Sequence, residues 1–301
     1  ADYFSLMVLG LVFSIVLARG SIIKAFGMVF LGMLLGLVAA HVNRGNLRFT
    51  FGISDLFDAL GFVPLAMGFD LTEGWAAIMK KQAADLGYSF EIRDPNWSTD
   101  AGTRAITAII AEKPDLAIIH NPDLQSYARL EQRMVQAGIK VLQVNLETTN
   151  PTDYYVGADW VKVGLIEADA LVKKCGTGSG TSGKVAILEG QPTAASNLYE
   201  LYAYYKIFGA DPAIKIVADQ AATYDPAKAR AITETVLQQH PDLCGIVGNW
   251  DNQDVGAGAA VQAAGKSDQV YIVTSGGGSK TGCDNIEKGL LDLIVSYDVP
   301  L

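Results

Sequence analysis

Residues 71–301 predict an α/β fold of two parallel sheets, each covered by helices on both faces, with a hydrophobic helical hairpin ahead of them. Three observations carry this expectation. From position 71 onward, short β-branched stretches alternate with helical ones of about 10–15 residues, the rhythm of parallel sheets between helix layers. Ahead of them stand two long runs without a charge, residues 3–18 and 25–40. Composition also changes near residue 70. The chain holds 23 Lys and Arg against 32 Asp and Glu, a net charge of −9, yet its first 70 residues carry four charges of each sign. The mean hydropathy of +0.23 is therefore an average over a neutral, apolar front and an acidic remainder. Some 230 residues with about eight strands suit two sheets better than one.

The two apolar runs are 16 residues each, separated by Arg19, Gly20 and Lys24. That is slightly short of the roughly 20 residues that span a bilayer, although residues 21–23 extend the second run. They predict a helical hairpin in or on a membrane, with Gly32, Gly36 and Ala40 at the small-residue spacing that lets membrane helices approach. A secretory signal fits less well, since no basic stretch opens the chain and a second apolar run follows the first. Basic residues number two between the runs and two after them, so orientation stays open.

Beyond residue 70 the elements follow in order. Thr72 caps a helix carrying Trp75, Ile78, Met79 and Leu86 at helical spacing, which Gly87 stops. A strand at 90–92 leads to a helix after Asp100 that ends at Lys113-Pro114. Then come strand 116–120, helix 126–137 closed by Gly138, and strand 141–146. The second set is strand 185–188, helix 194–208, strand 214–218, helix 226–239, strand 245–248, helix 254–264, strand 270–274, helix 281–290 and strand 293–296.

Ligands of open parallel sheets sit beyond the carboxyl ends of the strands, where this sequence concentrates polar and aromatic residues. Asn121 and Asp123 follow strand 116–120, and Asn145 follows the strand at 141–144. Ser196 and Asn197 open the helix after Glu189-Gly190-Gln191. Tyr224 follows the strand at 214–218, Asn249-Trp250-Asp251 follow 245–248, and Thr274-Ser275-Gly276 end 270–274. The last strand delivers Tyr297 and Asp298. Any one of these is an ordinary loop or capping residue. Seven strand ends together predict a cleft for a neutral, polyhydroxylated ligand: amides and carboxylates bond neighbouring hydroxyls, and aromatic faces cover the C–H surface of a sugar ring.

Other chemistries are disfavoured. An acidic chain without a basic stripe is a poor nucleic-acid binder. Three histidines and three cysteines, all far apart, hold no local zinc motif, and no metal or cofactor is implied. Residues 178–184 have the spacing of a phosphate-binding loop, but Val185 follows the lysine and the run precedes a strand. His120 on a buried strand and His240 at a helix end form no nucleophile–base pair, so an enzyme is not expected. An odd cysteine count allows one intrachain bridge at most, of unassigned pairing.

Two resemblances sharpen the reading. The RFTFG and GFVPLAMG pieces, within residues 3–68, resemble an internal stretch of the large membrane subunit of tripartite tricarboxylate transporters. Residues 71–301 resemble a type 1 periplasmic substrate-binding protein of a sugar ABC transporter, in the ribose-binding-like branch. EKPDLAIIHNPD, AGIKVLQVN, YVGADWVKVG, GKVAILEGQPTAAS, NWDNQDVGAGAAVQAAG and VYIVTSGGG carry that resemblance. It implies two Rossmann-like lobes that close on a sugar or polyol in a periplasmic uptake system, with ABC permease subunits as partners, while the apolar hairpin implies membrane contact through residues 1–40. It implies ligand contacts from Asn145 of an N-lobe (71–158), to which the strand-end reading adds Asn121, and from Ser196 or Asn197, Tyr224, Trp250 and Asp251 of a C-lobe (159–297), with Tyr297 at the hinge. Relatives place an arginine near Ser196 and often an acid where Gly276 stands. The N-lobe is expected to lack its first strand, because GFVPLAMGFD stands in that place and Pro64 argues against a central strand. Residues 298–301 would begin a return to the N-lobe, so the chain reads as an apparent chimera with an impaired receptor. A membrane component of a tricarboxylate transporter is the alternative. The effector domain of a repressor shares the two-lobe fold, but no helix-turn-helix candidate supports it.

Overall fold

The structure is a computed structural model and describes residues 39–40, 47–48 and 59–297. The chain divides into two compact units, residues 1–60 with 79–90 and residues 61–78 with 91–301. In the first, β1 (Ala39–Ala40) pairs antiparallel with β2 (Leu47–Arg48). The expected hairpin over 3–18 and 25–38 lies outside the described residues. Ala39–Ala40, expected at the end of its second helix, form a strand instead. Among the described residues no helix is long and apolar enough to cross a membrane.

The second unit carries two lobes. The first uses the parts of β3 (Ala59–Val63), α1 (Asp70–Leu86) and β4 (Ser89–Ile92) that fall in this unit, followed by α2 (Thr99–Glu112), β5 (Leu116–Ile119), α3 (Ala128–Gln136), β6 (Lys140–Val144) and β7 (Tyr154–Val156). Its sheet runs β4-β3-β5-β6-β7, to which β3 and β4 contribute residues 61–63 and 91–92 within this unit. The second lobe uses α4 (Trp160–Cys175), β8 (Lys184–Glu189), α5 (Ala195–Phe208), β9 (Lys215–Ala221), α6 (Pro226–Gln239), β10 (Gly245–Gly248), α7 (Asp251–Ala263), β11 (Tyr271–Gly276), α8 (Lys280–Glu287) and β12 (Leu293–Ser296). Its sheet is parallel throughout, in the order β12-β11-β10-β8-β9.

The first lobe corrects the expectation of a missing strand. The N–H of Arg93 donates to the Phe62 carbonyl at 2.9 Å, and that of His120 donates to the Val63 carbonyl at 2.9 Å. Residues 62–63 are thus bonded from both sides, at the centre of the sheet. Pro64 does not interfere, because the strand ends at Val63 and the missing donor falls outside the ladder. The lobe therefore begins before residue 71. Thr72 is not the cap of α1 either: the helix starts at Asp70, and the buried Thr72 hydroxyl donates to the Phe69 carbonyl at 3.4 Å.

Two further elements were not anticipated. One is α4, begun by Asp159, whose Oδ1 accepts from the Lys162 N–H at 3.0 Å. The other is β7, whose three residues are all exposed and so show no alternation of the kind that marks a strand.

In the second lobe the period-two rule places the core. Val185 and Ile187 face a cluster with Ala168, Leu171, Tyr204 and Phe208 of α4 and α5, while Ala186 and Leu188 face Ala229, Val236, Ala257 and Val261 of α6 and α7. Buried Val63, Ile106, Ile109, Ile119, Met134 and Val141 form the corresponding core of the first lobe. A smaller cluster of Leu146, Trp160, Val163 and Ala194, with Leu65, Val295 and Tyr297 against it, packs where the lobes meet. Cys175 at the end of α4 is disulfide-bonded to Cys244 beside β10, with Cα atoms 5.9 Å apart, while Cys283 is free and exposed. Residues 298–301 lie outside the described residues.

Candidate functional site

The carboxyl ends of both sheets face one another across a cavity of about 40 Å³. The first lobe lines it with Leu65, Phe69, Leu71, Trp97, His120, Asn145 and Leu146. The second contributes Trp160, Ser196, Tyr224, Asn249, Trp250 and Tyr297. None of these side chains is an acid, a lysine or an arginine. His120 is neutral as well: complete burial pushes its imidazole down to about 3. Its Nε2 lies 3.3 Å from Asn145 Nδ2, a donor, which leaves the ring proton on Nδ1.

Asn145 follows β6 with a left-handed φ of 64°, which turns the chain sharply enough to aim its amide at the cavity. Its carbonyl is held by two donors, the Tyr155 hydroxyl at 3.0 Å and Trp160 Nε1 at 3.1 Å. Asn249 stands opposite, after β10, and its Nδ2 donates to the buried Glu200 carboxyl. Asn249 Oδ1 is buried without a hydrogen-bond partner, as is His120 Nδ1. Two polar atoms among the wall residues thus have unused bonding capacity, and such atoms are costly to leave unpaired.

Aromatic rings make up most of the remaining wall. Phe69 stacks on Trp97 at 5.5 Å between centroids, and Trp250 meets the Phe69 ring edgewise at 5.5 Å. Tyr224 lies edge-on to Trp250 at 5.7 Å, and Trp160 edge-on to Tyr297 at 5.0 Å. The Tyr224 N–H donates to Gln253 Oε1 at 2.7 Å, and burial pushes its phenol up to about 12, so the hydroxyl stays protonated. Gly190 leaves room for this wall, since a Cβ there would collide with the Tyr224 ring and the Asn249 amide oxygen.

The structure thus brings Asn145, Ser196, Tyr224, Trp250 and Tyr297 together, as the sequence reading expected. Asn121 and Asn197 are placed elsewhere. Asn121 Nδ2 donates to the Leu146 carbonyl at 3.1 Å and joins two strand ends. Asn197 accepts from the Gly190 N–H at 2.8 Å and donates to Glu189 at 2.7 Å, which fixes the loop before α5. Asp251 and Gly276 lie side by side next to the cavity. The Asp251 carboxyl fills the space that a Cβ at 276 would need, so an acid on one of these strand ends excludes a side chain on the other. Asp251 borders a neighbouring hollow with Asp70, Trp250 and Gly282, and burial raises its carboxyl to about 6.

Phe69, Trp97 and His120 were not among the predicted site residues, and Asn249 was gathered only as a strand-end residue, outside the contacts the resemblance implies. The strand-end rule applied to 90–92 points to Trp97, and the same rule covers Asn249. Phe69 became legible only once β3 was known to be a strand, because it lies in the loop that β3 feeds.

Two lobes with facing sheet ends and a neutral, aromatic-lined cavity between them define a ligand-binding receptor fold. Residues 60–301 match the periplasmic binding protein domain family, so the chain belongs to that family and is a binding protein rather than an enzyme. Residues 1–108 match the tripartite tricarboxylate transporter TctA family, so two family matches overlap at 60–108. The ribose import binding protein of Bacillus subtilis is 26% identical over 262 residues, which cover 86% of this chain and 80% of that protein. An ABC transporter periplasmic solute binding protein of Actinobacillus succinogenes, solved with bound D-allose, superposes with a TM-score of 0.65 at 25% identity, over 77% of this chain and 82% of that one. An uncharacterized 52.8 kDa protein of Agrobacterium vitis is 41% identical over 87 residues, and the chain spans only 17% of that relative's length.

Proposed function

We propose that residues 60–301 are the sugar-binding component of an ABC-type uptake system in the periplasm, holding one neutral monosaccharide or polyol between the lobes. The observation that carries this reading is the cavity wall: amides of Asn145 and Asn249, hydroxyls of Ser196, Tyr224 and Tyr297, indole faces of Trp160 and Trp250, and no ionised group. Hydroxyls of the ligand would bond the amides while its C–H face lies on the rings. Lobe closure would then present a joint surface to permease subunits. The likeness to a ribose import binding protein and to an allose-bound solute binding protein supports the sugar class.

Calorimetric titration of the full chain with D-ribose, D-allose, L-arabinose and myo-inositol, and with glucuronate as an anionic control, tests the reading. Binding of at least one neutral ligand with Kd at or below about 10 µM is the expected result, equivalent to about −7 kcal/mol. β3 supplies the strand whose absence was one of the two grounds for expecting an impaired receptor, and with it in place affinity in this range is expected rather than its loss. Preference for glucuronate, or no heat with any neutral sugar, would overturn the proposal.

The match of residues 1–108 to the tricarboxylate transporter family supports a second role for the front of the chain. In this reading residues 1–40 hold the receptor to a membrane. Detergent-phase partitioning of the full chain, set against residues 60–301 alone, tests the anchor. Stabilisation of the full chain by citrate would instead favour a tricarboxylate transporter component.

A further inference from the structure

The cavity does not end at its aromatic wall. Leu65, Trp97 and Tyr224 also line a wider outer groove of about 500 Å³, whose polar rim includes Ser98, Thr99 and Gln191. Trp97 is the boundary residue. One face of its indole stacks on Phe69, and the side chain as a whole is 50% exposed. A tryptophan half-open to solvent at a polar groove is a ready platform for a sugar ring, because the indole covers C–H surface while rim hydroxyls and amides take the ligand's hydroxyls.

Backbone conformation gives independent support. Asn96 and Trp97 both have left-handed φ, 48° and 64°, and so do Thr223 and Tyr224 on the opposite lobe, 54° and 63°. Consecutive non-glycine residues in that region are uncommon, and such strain gathers where a side chain must be placed for function. Here one strained pair on each lobe sets a ring at the boundary between cavity and groove, with the two ring centroids 6.5 Å apart.

We infer that the outer groove is a second sugar subsite, with Trp97 as its platform, so that the chain takes disaccharides whose first ring fills the inner cavity. The inference rests on the sugar-binding reading of that cavity and extends it from one ring to two. Titration of the full chain with D-glucose, D-xylose and D-galactose against maltose, cellobiose, xylobiose and lactose tests it, with D-ribose and D-allose as one-ring controls. At least one disaccharide should bind about tenfold or more tighter than its own monosaccharide. Because the same indole borders the inner cavity, Trp97→Ala should weaken both classes of ligand, but the disaccharide at least about tenfold more than its monosaccharide, and Trp97→Phe should restore part of that difference. Monosaccharide binding with no gain on any disaccharide overturns the second subsite alone, as does an equal loss for one and two rings in Trp97→Ala. Failure of every sugar, the one-ring controls included, overturns the reading of the cavity and the subsite with it.

Discussion

Single side chains decide what this site accepts and how its stability answers to pH. Gly276 is the sharpest case: because Asp251 occupies the space beside it, Gly276→Ala should lower stability by about 1–3 kcal/mol in urea unfolding and displace the Asp251 carboxyl. An unchanged midpoint would refute the close approach. Buried carboxyls set the pH response. Burial raises Asp251 to about 6 and both Asp254 and Glu131 to about 7, and it pushes Glu167 and Glu200 well above their ordinary range. Thr274 Oγ1 donates to Asp254 Oδ2 at 2.6 Å, which offsets part of that burial. Carboxyls raised in this way bind more protons folded than unfolded between about pH 4 and their native values, so stability falls as pH rises through that window. His120, lowered to about 3, works in the opposite sense below its ordinary value of 6.5, but five carboxyls outweigh one imidazole. The melting temperature should therefore be several degrees higher at pH 6 than at pH 8, and Asp254→Asn should flatten that slope. A melting temperature that rises from pH 6 to pH 8 would contradict the assignment.

At the scale of elements, caps and the disulfide carry separable contributions. Asp159 caps α4 through Lys162 N–H, and its replacement by alanine should cost about 1 kcal/mol by chemical denaturation. The Cys175–Cys244 bridge closes a sequence separation of 69 residues, tying the end of α4 to the strand that delivers Asn249 and Trp250. Reduction, or the double change to serine, should lower stability by about 2–4 kcal/mol. Equal denaturation midpoints with and without reductant would remove the bridge from the account. Most elements were legible in sequence. α6 matched at both ends because Asp225, Pro226 and the helix repeat all agree on its start. β7 was not legible, since an exposed edge strand of three residues has no buried face to impose alternation. β3 was misjudged because a proline one residue past a strand looks, in sequence alone, like a proline within it.

For the whole molecule, three of the four tryptophans, Trp97, Trp160 and Trp250, line the cavity, and Trp75 meets His120 edgewise at 5.3 Å. A bound sugar should therefore change intrinsic tryptophan fluorescence, and Trp250→Phe should remove a large share of the signal. No spectral change at saturating ligand, with binding seen by calorimetry, would place the ligand away from these rings. Lobe closure should also reduce the radius of gyration in solution scattering, and an unchanged value would argue against a hinge.

The amino-acid sequence by itself determined the α/β class, the two-sheet division, the strand ends that carry polar and aromatic residues, and the contrast between an apolar front and an acidic remainder. These are local or periodic properties, written in hydrophobic spacing and charge. Tertiary structure alone decided the rest. It seated residues 62–63 between two neighbouring strands, paired Cys175 with Cys244, and turned Asn121 and Asn197 inward while bringing Phe69, Trp97 and His120 to the cavity wall. Each outcome depends on which residues distant in sequence become neighbours, and only long-range packing sets that. The negative charge that marks the acidic remainder proved irrelevant to the cavity, where burial and neutral side chains leave no ionised group to meet a ligand.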